Sequence, residues 1–392
     1  MKQLLFITVL GLTCWGLATP QTQSAVVREN GYWARTIQGP IDVAGTEGLR
    51  VVTTGNVALR GSGDQQARYE LKLRVRAADA REAEAFLQRV NVKTGTEGGW
   101  AYLKVTPPRL VSSGLELTVT APRALRDVWV ETHGGNVQAS DWDGGFEARS
   151  AGGRIAVDGL RGHSELRTAG GDIQVGKVSG AVRCLSGGGP IRVESAGAEA
   201  WLETAGGEIF VHQADGPVHA STGGGNIRIE RAGSTVFART AGGLIQVQQA
   251  EGAVTAESSG GAIQVNSANG VHCESAGGAI QLRNVAGALH ASANSGSIMA
   301  ELVSTHPMAD SILSTNAGDI TVLIPSNLAL TIQAMNESGG SGRIISDFPQ
   351  VRQQTGSVRG MGPLMAEGAL NGGGPMLRVN VVGGTIYLRR AK

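Results

Sequence analysis

Several residue types that would point quickly to a function are scarce. Three cysteines occur in 392 residues, with no Cys-x-x-Cys pair among them, so a paired-thiol redox or zinc motif is excluded. Aromatic residues make up 4% of the chain, so any that gather on one surface stand out. Charged residues are 17%, the formal net charge is +1, and no block of five or more basic residues occurs. The electrostatic footprint of a nucleic-acid binder is therefore missing. No nucleophile elbow and no His-Glu-x-x-His is found. Beyond the first 18 residues no stretch approaches the roughly 20 apolar residues of a membrane span.

Glycine, by contrast, is abundant, with 59 residues, and it is periodic. A small-residue turn followed by x-Ile-x-Val returns every 18 residues, slipping once to 17, with anchors at Gly135, Gly153, Gly171, Gly189, Gly207, Gly225, Gly243, Gly261, Gly278 and Gly296. Gly318 is an eleventh after an insertion. A fixed period of this kind is the signature of a solenoid. Two residues past each anchor stands Val137, Ile155, Ile173 and so on to Ile320, with another aliphatic residue two further along, the pattern of a strand with one buried face.

Halfway through each unit a second small residue introduces a second alternating run, whose inward positions end in a hydroxyl column from Ser150 and Thr168 to Ser258 and Ser275. Each coil thus carries two short strands and two tight turns. The turn glycines are expected where adjacent coils approach closely, some of them at positive φ. Only about four apolar side chains per coil face the axis, worth roughly 1.5 to 3 kcal/mol each. Ordering the backbone and side chains of one coil costs more than that. Coils must therefore stack, at about 4.8 Å, and the stack must be capped against edge-to-edge pairing.

The chain begins with Met1-Lys2-Gln3, an apolar run from Leu4 and a small-residue exit at Ala18. This is the build of a secretory signal peptide over residues 1–18, with cleavage as late as 25, and it implies export to the periplasm, cell surface or medium. A lipoprotein signal ending at Cys14 is the alternative, although Gly11-Leu12-Thr13 fits that box poorly. Cys184 and Cys273 fall in the inward column five coils apart, about 24 Å along the axis, too far for a disulfide.

Residues 26–125 lack the period and read as an N-terminal β-rich cap. Arg68 to Arg76 alternates as a half-exposed strand, and Ala80 to Val90, starting from Asp79, reads as a short amphipathic helix. Residues 126–325 read as a solenoid of about ten to eleven coils, and 326–392 as an irregular segment ending in a terminal coil at Gly383-Gly384-Thr385-Ile386-Tyr387-Leu388.

The run Leu115-Glu116-Leu117-Thr118-Val119-Thr120-Ala121-Pro122, the recurrent Ser/Thr-x-Gly-Gly-x-Ile-x-Val units, Ala317-Gly318-Asp319-Ile320-Thr321-Val322 and the closing Gly-Gly-x-Ile-x-Leu together resemble the bacterial putative-adhesin family, exported β-strand-repeat proteins of unknown function. The resemblance implies an all-β, single-stranded parallel β-helix (a β-solenoid), right-handed, at the cell envelope, with no catalytic residues to carry over.

Enzymes of the pectin-degrading type share the parallel β-helix, so a polysaccharide lyase or hydrolase remains a rival. Such a site needs convergent carboxylates. Here Glu147 and Glu165 lie near Arg149 and Arg167, the arrangement of a solvated face. Asp141 and Asp143 could bind calcium or simply form a turn. His272 and His290 fall on adjacent coils without an evident third metal ligand. No cofactor is called for.

The most informative surface feature is an outward column of Trp201, His219 and Phe237 on successive coils, with Phe210 nearby on the other strand. Aromatics in a row make a platform for sugar rings or a partner's apolar surface, unless residues 361–370 fold over them. The function expected is a non-enzymatic binding or adhesive surface for a glycan or envelope protein. The alternative is a scaffold that associates end to end.

Overall fold

The computed structural model describes residues 21–108, 114–303, 308–338, 343–355 and 362–391. The signal peptide expected at residues 1–18, with Cys14, lies outside the described residues. What is described is a β-solenoid built almost wholly of strands, with one helix.

The coil containing Val182–Ser186 and Ile191–Ala196 shows how sequence sets structure. Alternation buries Val182, Cys184 and Ser186 on the first strand, and Ile191 and Val193 on the second. The intervening residues, Arg183 and Arg192 among them, point outward. The next coil repeats this 18 residues later and lies parallel and in register, so that Val182 meets Ala200, Ala200 meets Val218, and Val218 meets Val236. The first strands make one sheet, ending in the buried hydroxyls (the hydroxyl sheet). The second strands, following the anchors, make the other (the anchor sheet), and aliphatic side chains fill the space between.

At the corner joining the two sheets, each hydroxyl from Thr132 to Ser275 works twice. Thr204 Oγ1 donates to the Gly189 carbonyl at 2.9 Å and accepts from Gly207 N at 3.2 Å, and the same pair of bonds recurs at Thr222 and Thr240. A buried hydroxyl is thus fully used, stitching each coil to the one before it. The anchors are glycine because of crowding: a Cβ on Gly207 would stand 2.3 Å from the Gly189 carbonyl oxygen. Positive φ, expected at some turns, occurs at no anchor from Gly135 to Gly296, but is found between anchors at Gly159 (φ 66°), Gly270 (φ 94°) and Gly287 (φ 72°), and at the later anchors Gly318 (φ 144°) and Gly384 (φ 146°). The 17-residue step is absorbed where Ala268–Ser275 carries a register shift between Asn269 and Val271, beside Gly270 at φ 94°. In the next coil Ile280–Ala293 is continuous strand through the corner, passing from the anchor sheet to the hydroxyl sheet with positive φ at Asn284 and Gly287.

Both ends depart from the sequence reading. Gly48–Thr53 pairs parallel with Asp127–Thr132, and Asn56–Ser62 with Val137–Ser140, so residues read as a cap supply a coil of their own. Trp100–Thr106 and Gly114–Pro122 stack beyond it. Antiparallel strands then close this end: Asn91–Glu97 on Trp100–Thr106, and Ala67–Val75 on Gly114–Pro122, with Tyr32–Ile41 outside. The helix spans Ala80–Leu87, is capped by Asp79 accepting from Glu82 N, and buries Ala83 and Leu87. Its Glu84 pairs with the buried Arg35, whose guanidinium lowers the Glu84 pKa.

The segment from 326 onward, read as irregular, is rich in strands. Met376–Gly383 and Thr385–Arg390 pair parallel with Ser311–Ala317 and Ile320–Ile324 and form the terminal coil. Leu330–Asn336 and Arg343–Ser346, earlier in the chain, stack outside it. Leu364–Leu370 and Arg352–Thr355 finish the edge antiparallel. No 18-residue period marks these coils, because each neighbours a strand distant in sequence. Cys184 and Cys273 are buried and unpaired, and burial pushes both thiols up.

Candidate binding surface

The outward column of the hydroxyl sheet keeps the register expected of it: Glu147, Glu165, Arg183, Trp201, His219, Phe237, Thr255, His272 and His290 are successive neighbours. The Trp201 and His219 rings stack at 4.7 Å between centroids with 21° between planes, and His219 meets Phe237 at 6.1 Å and 38°. All three are half-buried, each lying against its neighbours while keeping one side open. Trp201 Nε1 donates to Glu203 Oε1 at 2.6 Å, which fixes the indole, and His219 Nε2 lies 3.6 Å from Glu199 Oε1. The Arg183 guanidinium sits 5.6 Å over the Trp201 ring.

Phe210 does not join this column. It points outward from the anchor sheet, on the opposite side of the coil, between Arg192 and Arg228 in its own column. There it lines an open groove of about 960 Å³ with Ala156, Gln174 and Gly176. A turn separates the two strands of a coil, and their outward faces look away from each other. Nor do the described residues of the 361–370 segment cover the aromatics. Leu364–Leu370 is hydrogen-bonded to Leu330–Asn336 at the far end, and Met361 lies outside the described residues.

Side chains that could have served catalysis or metal binding are engaged otherwise. Glu147 accepts from Arg149 Nε at 2.7 Å and Glu165 from Arg167 Nε at 2.7 Å, while Arg239 lies 3.6 Å from Glu257. Asp143 bridges Arg123 and Arg161 at 3.2 and 3.1 Å, and Asp141 is 3.9 Å from Arg60. The His272 and His290 rings meet edge-on at 6.2 Å, and His272 Nε2 is 3.2 Å from Glu274. Among the described residues no three histidine, cysteine, aspartate or glutamate side chains gather closely enough to hold a metal ion.

One cluster was missed by sequence reasoning. The same outward column continues from Glu147 to Trp129, Arg50 and Tyr102, and the Arg50 guanidinium lies 4.3 Å over the Trp129 ring. With Trp100 they border a hollow of about 520 Å³. The available signal is the shared pattern of Leu49-Arg50-Val51-Val52-Thr53 and Val128-Trp129-Val130-Glu131-Thr132, apolar at the first and third positions and Thr at the fifth.

Residues 212–361 match the family model described as Toastrack DUF4097. This part of the chain is similar to the Toastrack family. The matched stretch begins within the periodic coils and ends among the out-of-order strands of the C-terminal edge, so it takes in the later periodic coils and part of that edge. The match is to a domain of unknown function and agrees with the putative-adhesin resemblance of the sequence. No curated protein matches the chain.

Three solved structures are similar in part. A putative adhesin from Bacteroides fragilis is 15% identical, covering 62% of this chain and 95% of its own, with a TM-score of 0.33. One from Parabacteroides merdae is 13% identical over 76% and 98%, with a TM-score of 0.29. A putative cell adhesion protein from Clostridium sporogenes is 8% identical over 91% and 100%, with a TM-score of 0.19. At such scores none of them bears on function.

Proposed function

We propose that the protein is a non-enzymatic, exported β-solenoid whose hydroxyl sheet presents a binding surface at the cell envelope, with Trp201, His219 and Phe237 as its contact patch for sugar rings. The observation that carries this reading is the stacked, half-exposed ring column, held by a rigid ladder at about 4.8 Å per rung. The stacked rings leave a half-exposed apolar ridge against which saccharide C–H groups can pack, and the adjoining Glu199, Glu203 and Arg183 supply hydrogen-bonding groups beside it. Pairing of the neighbouring carboxylates with arginines supports a surface that binds over one that cleaves.

A glycan-array measurement on the purified chain tests it. Wild type is expected to bind a defined subset of glycans. The Trp201→Ala, Phe237→Ala double variant should lose that binding while keeping its circular dichroism spectrum and thermal transition. Unchanged binding by the double variant overturns the patch.

The antiparallel closures at both ends weigh against end-to-end self-assembly, since a blunted edge offers no continuation of the parallel ladder. Light scattering of the concentrated protein is accordingly expected to give a monodisperse monomer.

A further inference from the structure

The arginines on the outer surface of the hydroxyl sheet fall into two groups. Arg149, Arg167 and Arg239 each have a carboxylate partner. Arg50 and Arg183 do not: each lies over the face of a tryptophan on the adjacent rung, Arg50 on Trp129 at 4.3 Å and Arg183 on Trp201 at 5.6 Å. Among the described residues neither is within ion-pair distance of an acid, although Glu97 and Glu147 border the hollow beside Arg50. Glu147 is already bonded to Arg149. Both arginines are exposed, so a guanidinium held over an indole keeps N–H donors open to solvent, and a guanidinium can receive a carboxylate in two parallel bonds.

The two Arg–Trp pairs also lie on one straight column, in the order Tyr102, Arg50, Trp129, Glu147, Glu165, Arg183, Trp201. Trp129 and Trp201 are four rungs apart, about 19 Å at the usual strand spacing. Each pair sets a half-exposed aromatic ring beside an uncompensated cation. That combination matches a sugar ring bearing a carboxylate, and its recurrence along a rigid axis matches a polymer of such rings.

Building on the reading of this column as a glycan-binding face, we propose that its ligand is an anionic polysaccharide. The chain runs along the solenoid axis and is held at two stations, Arg50–Trp129 and Arg183–Trp201. The Trp100–Tyr102 hollow extends the first station.

Affinity electrophoresis through gels containing sodium polygalacturonate or neutral dextran tests this. The wild-type chain is expected to be retarded by polygalacturonate and not by dextran, and less so as sodium chloride is raised. Arg50→Ala and Arg183→Ala, both at exposed positions, should each weaken retardation by roughly tenfold or more. Lysine at either position should restore it only in part. Oligogalacturonates too short to reach from one station to the other should compete at least tenfold less well than long chains, per binding residue.

Equal retardation by dextran, untouched by the arginine variants, would overturn the anionic assignment and leave the aromatic patch standing. Full retardation of Arg50→Ala alongside loss in Arg183→Ala would overturn the Arg50–Trp129 station. Absence of retardation by both polymers, together with a blank glycan array, would overturn the binding surface as well.

Discussion

In the middle of the rod each coil rests on the one made just before it in the chain, 18 residues away, as Ile209 rests on Ile191. At both ends a coil is instead held between strands far from it in sequence: residues 48–62 lie between 100–122 and 127–140, and residues 376–390 between 311–324 and 330–346. Inward side chains are of one kind throughout. Leu49, Val51 and Thr53 face the core as Val128, Val130 and Thr132 do, and Ile386 and Leu388 continue the column of Ile320 and Val322. Stacking chemistry is therefore separable from the repeat. What the repeat adds is connection by a short turn, and what the ends add is an antiparallel finish that the repeat cannot make for itself.

Three experiments would break or sharpen this contrast. Truncation after residue 374 removes the inserted terminal coil. Strands 330–336 and 364–370 should then lose hydrogen-exchange protection, and the exposed 311–324 edge should drive aggregation, while the periodic coils keep their β signature. Retained protection in 330–336 would show that the insertion is dispensable.

Within the repeat, Gly225→Val places a Cβ 2.0 Å from the Gly207 carbonyl oxygen, backbone against backbone, and should cost more than about 4 kcal/mol in chemical denaturation. Gly224→Ala, with nothing within 4 Å, should stay within about 1 kcal/mol of wild type. Similar losses for the two would remove the crowding argument.

The smallest effect separates the hydroxyl ladder of the middle from its end. Thr222→Val deletes bonds to Gly207 O and Gly225 N and should cost about 1–3 kcal/mol. Thr53 Oγ1 is buried with no partner among the described residues, so Thr53→Val should be neutral or slightly stabilising.

Legibility of the sequence followed the same divide. Register in the periodic coils could be read residue by residue, down to the stacking of Trp201 on His219, because a fixed step converts position directly into neighbourhood. Phe210 went astray on a simpler point: the two strands of a coil show their polar faces to opposite sides, and sequence proximity hides this. Arg50 and Trp129 stand 79 positions apart and meet only through the parallel pairing of Gly48–Thr53 with Asp127–Thr132, which no period announces. The helix was visible from Asp79 and its apolar spacing, since capping and amphipathicity are local. Strands 330–370 were not, because their partners are set by a later part of the chain.

The terminal coil also dictates the order in which the molecule can be finished. A zipper of hydrogen bonds growing from the amino-terminal side can lay down strands as far as Ile324 and must then stop, because residues 330–346 have no floor until 376–390 arrive beneath them. Polypeptide released gradually thus carries a raw rim until its latest strands are delivered, and the seal on that rim is the closing act of assembly.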